Sequence, residues 1–189
     1  MQYIVPKFPS SFPSKDERRW TCGMYTLKAV IEWYNGSQIN NWRCYASGRL
    51  GRKFWYMFPD SLMEVLKQHG LSSKRIHCRR TNKHRKIEIL KSLLQKWPVI
   101  LLISHAYSST RNFSFRRAFT LQHYITLWWY DDKKRIFYVY DSNTEKAHHR
   151  WNTLPVWNII LEYDRLLRYR RLGGRGLYRD FAIAVDYHV

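Results

Sequence analysis

Trp20-Thr21-Cys22-Gly23-Met24-Tyr25-Thr26-Leu27-Lys28-Ala29-Val30-Ile31-Glu32-Trp33-Tyr34 is the stretch on which the reading of this chain turns. Leu27, Val30, Ile31 and Tyr34 recur at steps of three and four, the helical period. Asn35-Gly36 follows as a stop signal. The spacing therefore predicts a helix with one apolar face and Cys22 at its N-terminus. The partial positive charge at a helix start favours a thiolate, so this is where a cysteine nucleophile would be placed. The ordinary reading of an isolated cysteine is a small buried hydrophobe. What separates the two is whether Cys22 has partners.

Composition sets the frame. A chain of 189 residues with 45% apolar and 17% aromatic residues can bury a substantial core, and its length suits one domain. The formal net charge of +19 points to an anionic partner: phosphate, acidic protein or a membrane surface. Three cysteines (Cys22, Cys44, Cys78) make no disulfide framework and read as reduced thiols. The N-terminus lacks a basic start followed by an apolar run, and the longest apolar run, Pro98 to Ile103, is far short of a membrane span. The expectation is a cytoplasmic protein, or one exported without a classical signal peptide.

Working outward, residues 1–15 hold Pro6, Pro9 and Pro13 and read as an extended arm. Ser37 to Gly51 reads as loop. Pro59 to His69 reads as a second helix, capped by Asp60 or Ser61 and ended by Gly70. Lys74 to Arg79 reads as a short strand with Ile76 and Cys78 on one face, and Arg79 to Lys86 as a charge run. Ile87 to Trp97 gives a third helix, broken by Pro98, and Val99 to Ile103 a buried central strand. Ala106 to Thr120 is a long basic loop. His123 to Tyr130 and Arg135 to Tyr140, joined by Asp131-Asp132-Lys133-Lys134, read as a hairpin. Ile159 to Arg171 reads as a fourth helix, basic on its exposed side, and Phe181 to Val185 as a last strand. Helices first and antiparallel strands later make an α+β fold with segregated layers, spanning residues 1–189 as one domain.

The hairpin supplies the partners. His123 opens its first strand and Asp141 follows its second, and in an antiparallel pair those two ends are neighbours. A thiol nucleophile needs a base, and the base needs a group to orient it. With the Cys22 helix packed at that end, Cys22, His123 and Asp141 would form a triad. Asn143 is an alternative orienting group and His105 an alternative base. The histidines near Cys78 lack the paired spacing of a zinc site, and neither a metal nor another cofactor is expected.

Cys22-Gly23 opening a helix, then Pro98 to Ser104, then His123 to Asp131, then Arg135 to Asn143, resembles the papain-like cysteine peptidases that process bacteriocin leaders after a double glycine, and their broader bacterial relatives. The resemblance runs over about residues 16–187. It implies a papain-like fold, N-terminal helices on a C-terminal antiparallel sheet, with Cys22 as nucleophile, His123 as general base and Asp141 as orienting carboxylate. The family commonly places an oxyanion-donating glutamine six residues before the cysteine; here that position is Asp16, and an ionised carboxylate accepts rather than donates. Asp-Pro after the second strand is replaced by Asp141-Ser142.

The implied activity is hydrolysis of a peptide or amide bond; the same triad also serves toxin-type deamidases and acyltransferases. The alternative is a basic module with this fold that binds nucleic acid or an acidic protein. Its surface would comprise Arg79, Arg80 and Arg85, then Arg111, Arg116 and Arg117, then Arg168, Arg170 and Arg171. Trp42, Trp55, Tyr56 and Tyr107 could stack on bases, although no nucleic-acid-binding motif is present.

Overall fold

The computed structural model describes residues 2–4, 22–37, 58–104, 122–141, 158–171 and 179–186. Seven strands form one sheet: β1 (Gln2–Ile4), β2 (Ser72–His77), β3 (Val99–Ser104), β4 (Gln122–Asp131), β5 (Ile136–Tyr140), β6 (Asn158–Glu162) and β7 (Phe181–Asp186). Their spatial order is β2-β7-β3-β4-β5-β6, with every pair antiparallel. β1 pairs with Trp129–Asp131 of β4, beyond the point where β3 ends its pairing at Leu127. The remainder of the N-terminal arm lies outside the described residues.

The four described helices are α1 (Cys22–Asn35), α2 (Pro59–Gln68), α3 (Lys83–Leu94) and α4 (Tyr163–Arg171). α1 packs on β4 and on α2, α2 on β2, α3 on β3 and β4, and α4 on β3 and β6. The fold is α+β and papain-like, although α3 and α4 alternate with strands rather than forming one leading block. β3 and β5 are buried along their whole length. Both faces of the central sheet are covered, which is why Val-Ile-Leu-Leu-Ile and Ile-Phe-Tyr-Val-Tyr are continuous apolar runs rather than alternating ones.

α1 begins at Cys22 and ends where Gly36 takes φ +66°, a conformation glycine adopts without steric cost. The predicted single apolar face is too narrow: Gly23 and every residue from Tyr25 to Glu32 are buried. The polar members of that run make internal contacts. Lys28 Nζ meets Glu32 Oε1 at 2.8 Å, and Thr26 Oγ1 donates to the Tyr124 carbonyl at 3.3 Å. A helix enclosed on several sides accommodates charge only when that charge is paired.

Four local features differ from expectation. α2 starts with Pro59 at its first position and no side-chain cap, so neither Asp60 nor Ser61 caps it; proline fixes φ for a first turn without any capping bond. β2 ends at His77, leaving Cys78 beyond the strand. α3 begins inside the charge run, because Asn82 caps it by accepting the Arg85 N–H at 2.8 Å, and it ends at Leu94 rather than Trp97. The predicted fourth helix is a strand followed by a helix. Asn158-Ile159-Ile160-Leu161-Glu162 pairs along β5, and only from Tyr163 does the chain coil. The open edge of β5 decides a short apolar run that is ambiguous by period alone.

The β4–β5 hairpin is fastened at its turn. The Asp131 carboxylate accepts the Lys133 and Lys134 N–H groups. Asp132 meets Lys91 of α3 at 2.9 Å and accepts the Tyr163 hydroxyl of α4 at 2.9 Å. Burial acts to raise the Asp132 carboxyl, but these partners hold it below the usual carboxylate range. The opposite end of the hairpin is where His123 and Asp141 stand.

Candidate active site

Two register facts bring His123 and Asp141 together. His123 pairs with Ile103 on one side. On the other, Tyr140 pairs with Thr126, so Asp141 stands level with Ile125, two residues along the same face from His123. Across that diagonal, His123 Nε2 lies 2.5 Å from Asp141 Oδ1. Both are enclosed, at 2% and 5% exposure, so the bond forms away from water. A short, buried contact between ionisable groups is the strong kind of hydrogen bond.

Cys22 completes the group. The Cys22 thiol lies near enough to the His123 ring to act on its charge, alongside Asp141. With Nε2 facing the carboxylate, Nδ1 is the nitrogen left for the thiol. Burial acts to lower the pKa of His123. The Asp141 carboxylate first, and Cys22 after it, overcome burial and hold it well above the ordinary histidine value. The surroundings favour the charged form of the His123 ring. Cys22 is half-buried at the first residue of α1, more accessible than either partner. The Thr26 bond to Tyr124, one turn beyond Cys22 and one residue beyond His123, ties the two chain segments together inside the core. Thr26 is wholly buried, and it is a residue that the sequence reading passed over. The available signal is a threonine one turn after the cysteine, on the stripe that includes Val30.

The model of the Peptidase_C39 like family matches residues 21–176, from the residue before Cys22 to beyond α4. The chain belongs to that family. Two solved structures share its fold. One is a double glycine motif protease from an AMS/PCAT transporter, crystallised with its leader peptide; it is 9% identical, covers 100% of this chain and 99% of its own, and has a TM-score of 0.55. The other is the peptidase domain of Streptococcus ComA, a bi-functional ABC transporter involved in a quorum-sensing pathway. It is 12% identical, covers 92% of this chain and 96% of its own, and has a TM-score of 0.54. At such identities the likeness is one of fold. No curated protein matches the sequence. Among the described residues of this Peptidase_C39-like chain, no helix is long and apolar enough to cross a membrane.

The remaining expected residues divide into three groups. Asp16, His105, Asn143, Arg111, Arg116 and Arg117, with Cys44 and the aromatics Trp42, Trp55, Tyr56 and Tyr107, lie outside the described residues. Arg79, Arg80, Arg85, Arg168 and Arg171 are exposed. Arg170 is not a surface residue: it is 0% exposed, and its Nη2 donates to the Asp180 carbonyl at 2.9 Å and the Phe181 carbonyl at 3.4 Å. α4 turns that one arginine inward, where the backbone at the start of β7 offers acceptors. Burial lowers the Arg170 pKa, opposed by Cys78 and Asp180. Cys78 is itself fully buried beside that guanidinium.

Proposed function

We propose that the chain is a papain-like cysteine peptidase that cleaves a peptide bond with Cys22, His123 and Asp141. The observation that carries this reading is the buried His123 ring bonded to the Asp141 carboxylate at 2.5 Å, with the Cys22 thiol close enough to act on the ring's charge. Cys22, as thiolate, attacks the scissile carbonyl. His123, as imidazolium, gives its proton to the leaving amine, and the peptide C–N bond breaks to leave an acyl-enzyme. His123 then takes a proton from water, whose oxygen attacks the thioester and releases Cys22. Asp141 keeps the imidazole oriented and stabilises its charged form throughout.

The Cys22 backbone N–H, at the open end of α1, supports one oxyanion contact. Asp16 would supply a second only in its protonated form, since an ionised carboxylate has no proton to donate. Hydrolysis of a side-chain amide would use the same steps and differ in the bond presented.

The test is residue-resolved alkylation with iodoacetamide at neutral pH. Cys22 should label much faster than Cys44 and Cys78, and His123→Ala should abolish the advantage. If Cys22 reacts no faster than the other two thiols, the activated-nucleophile reading is lost.

A further inference from the structure

The basic run that precedes α3 and the basic helix α4 are far apart in sequence but lie along one another. At one end, Lys83 Nζ stands 3.9 Å from Asp164 Oδ1. At the other, Arg170 Nη2 donates to the Asp180 carbonyl, the Asp180 N–H donates to the Arg170 carbonyl, and the Cys78 N–H donates to the Asp180 carbonyl. Lys86 closes the seam on Asp180 Oδ2 at 2.6 Å. The 78–86 segment therefore lies beside α4, reaching its first turn through Lys83 and its last turn through Asp180. Arg168 and Arg171 continue the helical stripe that begins at Asp164. With Arg79, Arg80, Lys83 and Arg165 they make one exposed surface of six cations beside the single carboxylate of Asp164.

Two observations indicate what this surface meets. The first is energetic. α3 opens on Lys83-His84-Arg85-Lys86 with no acidic residue in its first turn, so its cations oppose the helix dipole as well as each other. An anionic partner would relieve both. The second is positional. Ala182 pairs with Leu101, so Asp180, two residues earlier, stands at the level of Ile103, and Ile103 pairs with His123. The seam thus lies at the same end of the sheet as His123, two strands away, or roughly 10 Å at the usual interstrand spacing.

We infer that this surface, formed by the 78–86 segment and α4, docks an acidic segment of the protein substrate and so delivers the neighbouring peptide bond to Cys22. This rests on the peptidase reading above, and it names the substrate class: a polypeptide with a cluster of Asp and Glu beside the cleaved bond. Arginine at 165, 168 and 171 steps about 4.5 Å per three residues along the helix axis, close to the spacing of carboxylates at three- and four-residue intervals on a partner helix. The described part of the surface presents no exposed aromatic ring for base stacking, because Tyr169 is half-buried and holds the Arg165 side chain by a 2.6 Å bond. That favours an acidic polypeptide over single-stranded nucleic acid.

The experiment measures fluorescence anisotropy with the full chain carrying Cys22→Ala, so that binding is read without turnover. The probes are a fluorescein-labelled 16-residue peptide with eight glutamates, its all-glutamine counterpart, and a 16-nucleotide single-stranded DNA. The glutamate peptide should bind, more weakly as salt rises from 50 to 300 mM, and the glutamine peptide should not. Arg168→Gln with Arg171→Gln should weaken binding about fivefold or more, from two lost charge contacts of the exposed kind. Lys133→Gln with Lys134→Gln removes equal charge from the exposed hairpin turn and should leave binding within twofold. Equal losses in both pairs, preference for the DNA, or no binding of the glutamate peptide at 50 mM salt would each overturn the inference. Alkylation of Cys22 reports on the peptidase reading independently.

Discussion

Replacing Asp141 with asparagine isolates the electrostatic part of the triad. The amide keeps the shape of the carboxylate and one hydrogen bond to His123 Nε2, but removes its charge. A hydrogen bond to a charged group contributes about 1.5–3 kcal/mol and one between neutral groups about 0.5–1.5. The imidazolium should therefore lose on the order of 1–1.5 kcal/mol of stabilisation, which is roughly a five- to tenfold fall in the ratio of thiolate–imidazolium to thiol–imidazole. Burial of His123 then works against its charged form with only Cys22 to oppose it. The assay is the Cys22 alkylation rate from pH 5 to 10, resolved by peptide mass. At pH 6.5 the variant should react about five- to tenfold more slowly; at pH 10, where thiols ionise without help from a histidine, the two rates should converge. The stability linkage has a definite sign. Because the folded state raises the His123 pKa above its unfolded value, its contribution is fully present below about pH 6.5 and is lost as pH rises through the folded value. The difference in unfolding free energy between wild type and Asp141→Asn should accordingly shrink as pH is raised. Equal slowing at pH 6.5 and 10 would mean that Asp141 acts by geometry alone, and no slowing at either pH would refute the coupling.

Two further substitutions probe how the site is held. Thr26→Val removes the clip from α1 to Tyr124 without changing the side chain's shape; urea unfolding should show a loss of about 1 kcal/mol, Cys22 alkylation should slow, and Thr26→Ser should restore both. Wild-type alkylation in Thr26→Val would show that the clip does not position the thiol. Arg170→Ala should destabilise the fold by about 3 kcal/mol or more, through a cavity and a lost buried cation. Arg170→Met, which fills the space and removes a charge whose Nε and Nη1 have no hydrogen-bond partner, should cost clearly less, and equal losses in urea unfolding would show that the guanidinium's bonds outweigh its burial.

The contrast between His123 and Arg170 shows which physical terms are written locally. His123 and Asp141 are legible because a hairpin with a short turn leaves little freedom: two β-rich runs and a polar turn determine which ends meet, and the meeting of base and carboxylate follows from register. α1 was legible from period and from Gly36. That α1 packs at the His123 end is not a local property; it depends on a contact across 98 residues between Thr26 and Tyr124, and only the family resemblance, not any periodicity, pointed there. Ile159 to Glu162 is strand where helix is expected, because a short apolar run has no preference strong enough to overrule a neighbour, and the neighbour is the edge of β5. Arg170 sits in a run, Arg168-Tyr169-Arg170-Arg171, whose charge argues for water at every position. Helical geometry allows one of those arginines to point inward, and the carbonyls of Asp180 and Phe181 make that position tolerable. The same inward arginine fastens α4 to Asp180, which in turn holds Cys78 and Lys86, so the buried residue that departs from the charge pattern helps to assemble the exposed basic surface beside the site.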